Sequence, residues 1–300
     1  LYRAVRGQAE NGGMVEIRGS VVLDRPIYLD DANVVIQGSG SSARIEVSAS
    51  TLSELSDWGG AIELDGGSLK LSGLTVEASA TDQFTDRRIG IIRLSGSSTV
   101  EFDTTDFTLR GNAEATRYLS ALLAVDKTSI GREEGKLAIS VTNAFVRGEA
   151  GFLGIQTEAV SSNRIEVSIK DSLFVLGGYA LELANPSRAE QGVKRNIRCL
   201  TEQSTFACAA GFARLDFVSG GASNLCLNRT SNRCVFTSFG ENSHIQLVTA
   251  ANGLNLQNTE CLLFKGTDNA YSSDLTVFAE EYGSAQNLVS SFRFDDIPRD

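Results

Sequence analysis

Residues 100–111 read VEFDTTDFTLRG, and residues 137–148 read LAISVTNAFVRG. Each opens on an apolar–x–apolar triplet, Val100-Glu101-Phe102 or Leu137-Ala138-Ile139. A short polar or small stretch follows, then a second triplet, Phe107-Thr108-Leu109 or Ala144-Phe145-Val146, and a glycine, Gly111 or Gly148. Looser copies begin at Val34, Leu69, Ile165, Ile197, Leu225 and Leu254, so successive starts lie 35, 31, 37, 28, 32, 28 and 29 residues apart. Self-similarity at a period of about 20–50 residues marks a solenoid, a propeller or an array. The period of two inside each copy marks strands rather than helices. A third triplet falls between copies, as in Ile62-Glu63-Leu64, Ile92-Arg93-Leu94, Leu123-Ala124-Val125, Leu181-Glu182-Leu183, Leu215-Asp216-Phe217 and Ile245-Gln246-Leu247. Each unit therefore carries three short strands.

Neighbouring side chains of a strand point to opposite faces. With the first strand of each copy as register, one face collects Leu69, Val100, Phe102, Leu137, Ile139, Ile165, Val167, Ile197, Cys199, Leu227 and Leu256. The other collects Lys70, Glu101, Ala138, Glu166, Arg198, Cys226 and Asn255. Stacked coils turn the first set into a continuous core and the second into an outer ladder, with Lys70 beside Glu101 and Glu166 beside Arg198. A propeller needs about four strands in a blade of roughly 40–45 residues, and the steps here are mostly shorter. The expected fold is all-β, a single-stranded right-handed parallel β-helix of about eight coils. Leu1, Val5 and Ala9 share one face of a short helix that Asn11-Gly12-Gly13 ends. Such a helix would cap the open edge of the first coil. The expected layout is one domain over 1–300: a capping helix (1–13), coils (14–278) and a C-terminal cap or tail (279–300).

Here the chain resembles a known family. The helix, the Gly-Gly pair, MVEIRGSVVLDRPIYLDDANVVIQGSG from Met14 onward and the repeated coils look like the right-handed parallel β-helix proteins of the pectate-lyase-like superfamily. That superfamily includes polysaccharide lyases, glycoside hydrolases, carbohydrate esterases and coils without activity. The resemblance implies calcium with an Arg or Lys base for its lyases. For its polygalacturonan hydrolases it implies three aspartates, a histidine and Arg-x-Lys. No Arg-x-Lys occurs in this chain.

The chain has 300 residues and a net charge of −10. That charge argues against a nucleic-acid partner, whose backbone is held by clustered Lys and Arg. No apolar run reaches the roughly 18 residues of a membrane span. The chain lacks a signal peptide and does not start with Met, which suggests a piece of a longer precursor. Five cysteines (199, 208, 226, 234, 261) include no CxxC pair, so a zinc site is not expected. The inward ones read as core fillers, with Cys199 pointing in and Cys226 out.

On the outer face of the third strands the expected row runs Glu63, Arg93, Ala124, Gln156, Glu182, Asp216, Gln246. Glu182 and Asp216 then stand in consecutive coils, where two carboxylates could hold calcium or act as acid and base. A solvated ladder accounts for the same residues. Arg214 shares their face if its strand extends that far. Glu182, Asp216, Gln246, Arg188 and Arg195 form the expected ligand-binding set, with the loop Leu183–Arg195 overhanging it. Ser48–Gly59 is the other long excursion. Trp58, Tyr179 and Tyr271 could stack on sugar rings or pack in turns. Asparagines, Asn196 and Asn224 among them, fit a turn ladder, and His244 reads as a turn residue. No metal ligands other than this calcium pair are expected.

The function expected from these readings is a non-catalytic β-helix module of a larger, bacterial envelope or surface protein, extracellular, cell-surface or periplasmic, that binds carbohydrate or a protein partner. One alternative is a lyase or hydrolase acting on an acidic polysaccharide. Another is a structural or sensor domain attached to another domain.

Overall fold

The computed structural model describes residues 1–9, 12–80, 87–111, 118–125, 135–156, 159–160, 163–184, 195–217, 225–240, 243–249, 262–273, 275, 277–282 and 288–293. It is a parallel β-solenoid. Among the described residues, second strands stack in one nine-stranded sheet, from Ser20–Leu23 through Asp106–Arg110 and Phe145–Gly148 to Ala270–Tyr271. First and third strands belong to a sixteen-stranded sheet. They share it because Ile27–Gly38, Gly59–Ser72 and Ile89–Asp103 each carry the third strand of one coil into the first strand of the next. These runs bend at residues with positive φ: Asp31, Gly66, Gly67 and Gly96. Gly67 has no alternative, since a Cβ there would strike the carbonyl of Ala32. The coil count differs slightly from the eight expected.

Val34, Leu69 and Val100 stack in register, as their spacing predicts. Val100 then pairs with Ile139 rather than Leu137, and Ile197 with Leu227 rather than Leu225. A two-residue slip changes the neighbour and keeps the face. Val100, Phe102, Leu137, Ile139, Ile165, Val167, Ile197, Cys199 and Leu227 are accordingly all buried. Leu254 and Leu256 lie outside the described residues. The outer ladder forms: Lys70 Nζ lies 3.3 Å from Glu101, and Arg198 lies 3.8 Å from Glu166. Glu166 also meets Lys136 and Arg164, each at 2.7 Å. The Lys136 contact holds its carboxyl below the ordinary range.

The turn from first to second strand has two residues in every coil but one, where it spans 39–43. From the third described coil onward its first residue has positive φ: Gly73, Thr104, Asn143, Asp171, Gln203, Arg233 and Asp268. Side chains one position further bind the coil below. Ser172 Oγ accepts from Ala144 N and Ser204 Oγ from Ser172 N, both at 3.1 Å, and Asn269 Oδ1 accepts from Cys234 N at 3.0 Å. The polar turn ladder is thus built mostly by serine. Asn196 stands opposite Cys226, not Asn224, and Asn224 lies outside the described residues.

Helix α1 (Tyr2–Ala9) covers the first coil, with Val5 buried and Leu1 and Ala9 packed on the core. At the other end the last parallel strand, Val277–Tyr282, runs past residue 278 and pairs antiparallel with Leu288–Arg293. Phe174, Phe206 and Phe236 stack inside, with ring centroids 4.9 and 5.3 Å apart. Cys199, Cys208 and Cys234 are buried free thiols, and burial pushes Cys199 and Cys208 up to about 12. Among the described residues, no helix is long and apolar enough to cross a membrane.

Candidate functional site

Between the described strands, each interval of more than five residues has a third strand at one end: 48–58, 80–88, 111–118, 125–134, 157–162, 185–194, 218–224, 238–244 and 250–261. The excursion 48–58 contains a second helix, α2 (Ala49–Glu54), because Ser48 Oγ accepts from Thr51 N and caps it. Arg87 closes the other end by donating to the Leu55 carbonyl at 2.9 Å. Together these contacts set Trp58 and Arg88 beside the outer face of the third strands.

The observed outer row there is Tyr28, Glu63, Arg93, Leu123, Gly154, Glu182, Arg214, Gln246 and Glu280. This corrects the expected row in two ways. Leu122 and not Leu123 aligns with Ile92, a one-residue slip that turns Leu123 outward and replaces Ala124 and Gln156 in the row. Leu181 pairs with Ala213, so Arg214 and not Asp216 stands opposite Glu182. Asp216 lies two residues further along the same strand, Ala213–Phe217, which is long enough to put Arg214 on the shared face.

Leu123 packs outside the coil with Trp58, Val125 and Ala184 in a second, small apolar cluster. Gly154 yields space to it, since a Cβ there would lie 2.8 Å from Leu123 Cδ2. Trp58 and Tyr118 rings flank the Arg88 guanidinium at 5.5 and 5.6 Å. Arg88 donates to both oxygens of Glu182, at 2.8 and 3.0 Å. Arg214 Nε lies 2.9 Å from Asp216 Oδ1 and 4.0 Å from Glu182 Oε1. The neighbouring Tyr179 hydroxyl donates to Gln246 Oε1 at 2.6 Å.

Burial raises the Asp216 carboxyl above its ordinary range, against the pull of Arg214. Burial also raises the Tyr179 phenol. Arg214 is raised: burial opposes this, and the charge of Asp216 prevails. Each carboxylate is thus held by an arginine, Glu182 by Arg88 and Asp216 by Arg214. Among the described residues, no group of three or more His, Cys, Asp or Glu side chains is placed to hold a metal ion.

Glu182, Asp216 and Gln246 therefore come together, with Arg88, Arg214 and Tyr179 as partners beyond the expected set. Arg214 was legible from its sequence distance to Asp216. Arg88 reaches Glu182 across 94 residues of sequence, and no local pattern announces it. Arg188 lies outside the described residues. Arg195 opens the first strand Arg195–Glu202, and its side chain lies outside what is described. Trp58 is buried, Tyr179 is engaged by Gln246, and Tyr271 accepts from Arg229. Comparison with known proteins finds no matching family model and no similar curated protein.

Proposed function

We propose that this solenoid is a non-catalytic carbohydrate-binding module whose third-strand face receives the glycan. The observation that carries the reading is the placement of the long intervals between described strands, each of which has a third strand at one end. Binding groups are commonly grafted on such segments and positioned by a rigid scaffold. The face between them presents planar donors and acceptors in two runs, Glu63 and Arg93, then Glu182, Arg214 and Gln246, each at the coil repeat of about 4.8 Å and separated by Leu123 and Gly154. Membership of the pectate-lyase-like superfamily and a place on a bacterial surface or envelope, within a longer protein, belong to the same reading. The test is a glycan array covering neutral and acidic polysaccharides. Wild type should bind a glycan, and Arg214→Ala should weaken that binding at least about tenfold, or 1.4 kcal/mol. Binding to no glycan rejects the reading and leaves a protein partner or a structural role.

A second reading, a polysaccharide lyase or hydrolase, draws on one observation: Asp216 and Tyr179 are acid–base groups with raised pKa on an outer face. Polygalacturonate incubated with the protein, with or without calcium, should yield no ultraviolet-absorbing unsaturated product. Product that disappears in Asp216→Asn would place the lyase first.

A further inference from the structure

At the N-terminal end of the same face, α1 and the first three third strands enclose a hollow of about 400 Å³. That lies within the range of small-molecule sites, roughly 300–1,000 Å³. Its polar lining comprises Arg6, Tyr28, Asp30, Glu63, Asp65 and Arg93. The register arranges five of these as two adjacent columns, Tyr28–Glu63–Arg93 and Asp30–Asp65. Arg6 reaches the hollow from the helix. Arg93 Nη1 donates to Glu63 at 3.1 Å and fixes both groups at the wall.

Two features of this hollow suit a ligand. Asp30 stands directly opposite Asp65 in consecutive coils, which brings two acceptor groups together at its wall. Tyr28 is 59% exposed on the adjoining column, with a large ring surface left toward water.

The chemistry points to a polyhydroxylated, uncharged ligand. Carboxylates accept from hydroxyl groups, and a guanidinium donates paired N–H groups to neighbouring oxygens. An aromatic face covers the C–H side of a sugar ring. Three carboxylates against two guanidiniums, in a chain of net charge −10, disfavour an acidic sugar. We propose that this hollow is a binding subsite for one end of a neutral glycan. The inference rests on the carbohydrate reading above and adds the sugar class and the end of the face where it seats.

The experiment is isothermal titration of the protein with the best-binding neutral oligosaccharide from the array and, separately, with trigalacturonate. Tyr28→Ala and Asp65→Asn are compared with wild type. The exposure of Tyr28 makes its removal compatible with folding, and an unchanged thermal melt verifies it. Each variant should weaken the neutral ligand at least about tenfold, while trigalacturonate should bind more weakly than the neutral ligand throughout. Neutral-glycan binding that ignores both variants but is lost in Arg214→Ala overturns the subsite and leaves the carbohydrate reading intact. Tighter binding of trigalacturonate overturns the sugar class. An array on which nothing binds overturns both.

Discussion

Val167 and Glu166 are chain neighbours with opposite fates. Val167 is buried between Ile139 and Cys199 in the inner stack, while Glu166 lies outside among Lys136, Arg164 and Arg198. Val167→Asp should unfold the protein, because an unpaired carboxylate in a dry core costs several kcal/mol. Glu166→Ala should cost only about 1 kcal/mol or less, since partly exposed pairs contribute little each. Urea denaturation of both variants checks this, and equal losses would contradict the register. These two roles were legible from alternation alone. Leu123 was not: its run, Leu119 to Val125, is apolar at every position but Ser120, so no alternation marks which side faces the core. The reason it faces out, packing against Trp58, is a tertiary contact.

The elements of the last coil meet on a buried pair of side chains. Arg229 occupies an inward position of Leu225–Asn232, in the column of Val167 and Cys199. It donates from Nη1 to His244 Nε2 at 2.6 Å and from Nη2 to the Tyr271 hydroxyl at 2.9 Å. The rings of Phe236, Phe264 and Phe212 surround its guanidinium at 4.4, 4.6 and 4.9 Å. His244 N donates to the Val277 carbonyl at 3.1 Å, and its ring lies against Phe278. The strands Leu262–Thr267, Ala270–Tyr271 and Val277–Tyr282 are thus all held by this pair. His244 does precede its strand as expected, yet it is a core residue and not an ordinary turn residue. A lone histidine in a sequence carries no sign of the arginine it will meet.

Burial, then the Arg229 charge, push His244 well below its usual 6.5. The folded protein therefore resists a proton that the unfolded chain accepts. Stability from this group is complete above about pH 6.5 and falls as pH drops below it, by up to about 1.4 kcal/mol per pH unit. Urea midpoints at pH 7.5 and 5.5 should show this loss. His244→Gln, which keeps an acceptor for Arg229, should lower stability at neutral pH and reduce the pH slope. An unchanged slope in the variant would contradict the assignment.

At the scale of the molecule, the repeat announced the solenoid, because a period-two pattern recurring about every 30 residues has few other solutions. Slips of two residues left the fold legible, since they preserve which face is buried. The site was less legible for the same reason: who stands beside whom depends on the slip, and Glu182 acquired Arg214 as its neighbour where Asp216 was expected. The asymmetry of the connections is visible only once strands are assigned to families, and it singles out the third-strand face. Hydrogen–deuterium exchange with and without the best-binding glycan tests that choice most directly. Protection should concentrate in Gly59–Ser72, Ile89–Asp103, Leu181–Ala184 and Ala213–Phe217. Protection confined to the second strands, such as Phe145–Gly148 and Leu173–Leu176, would contradict the account.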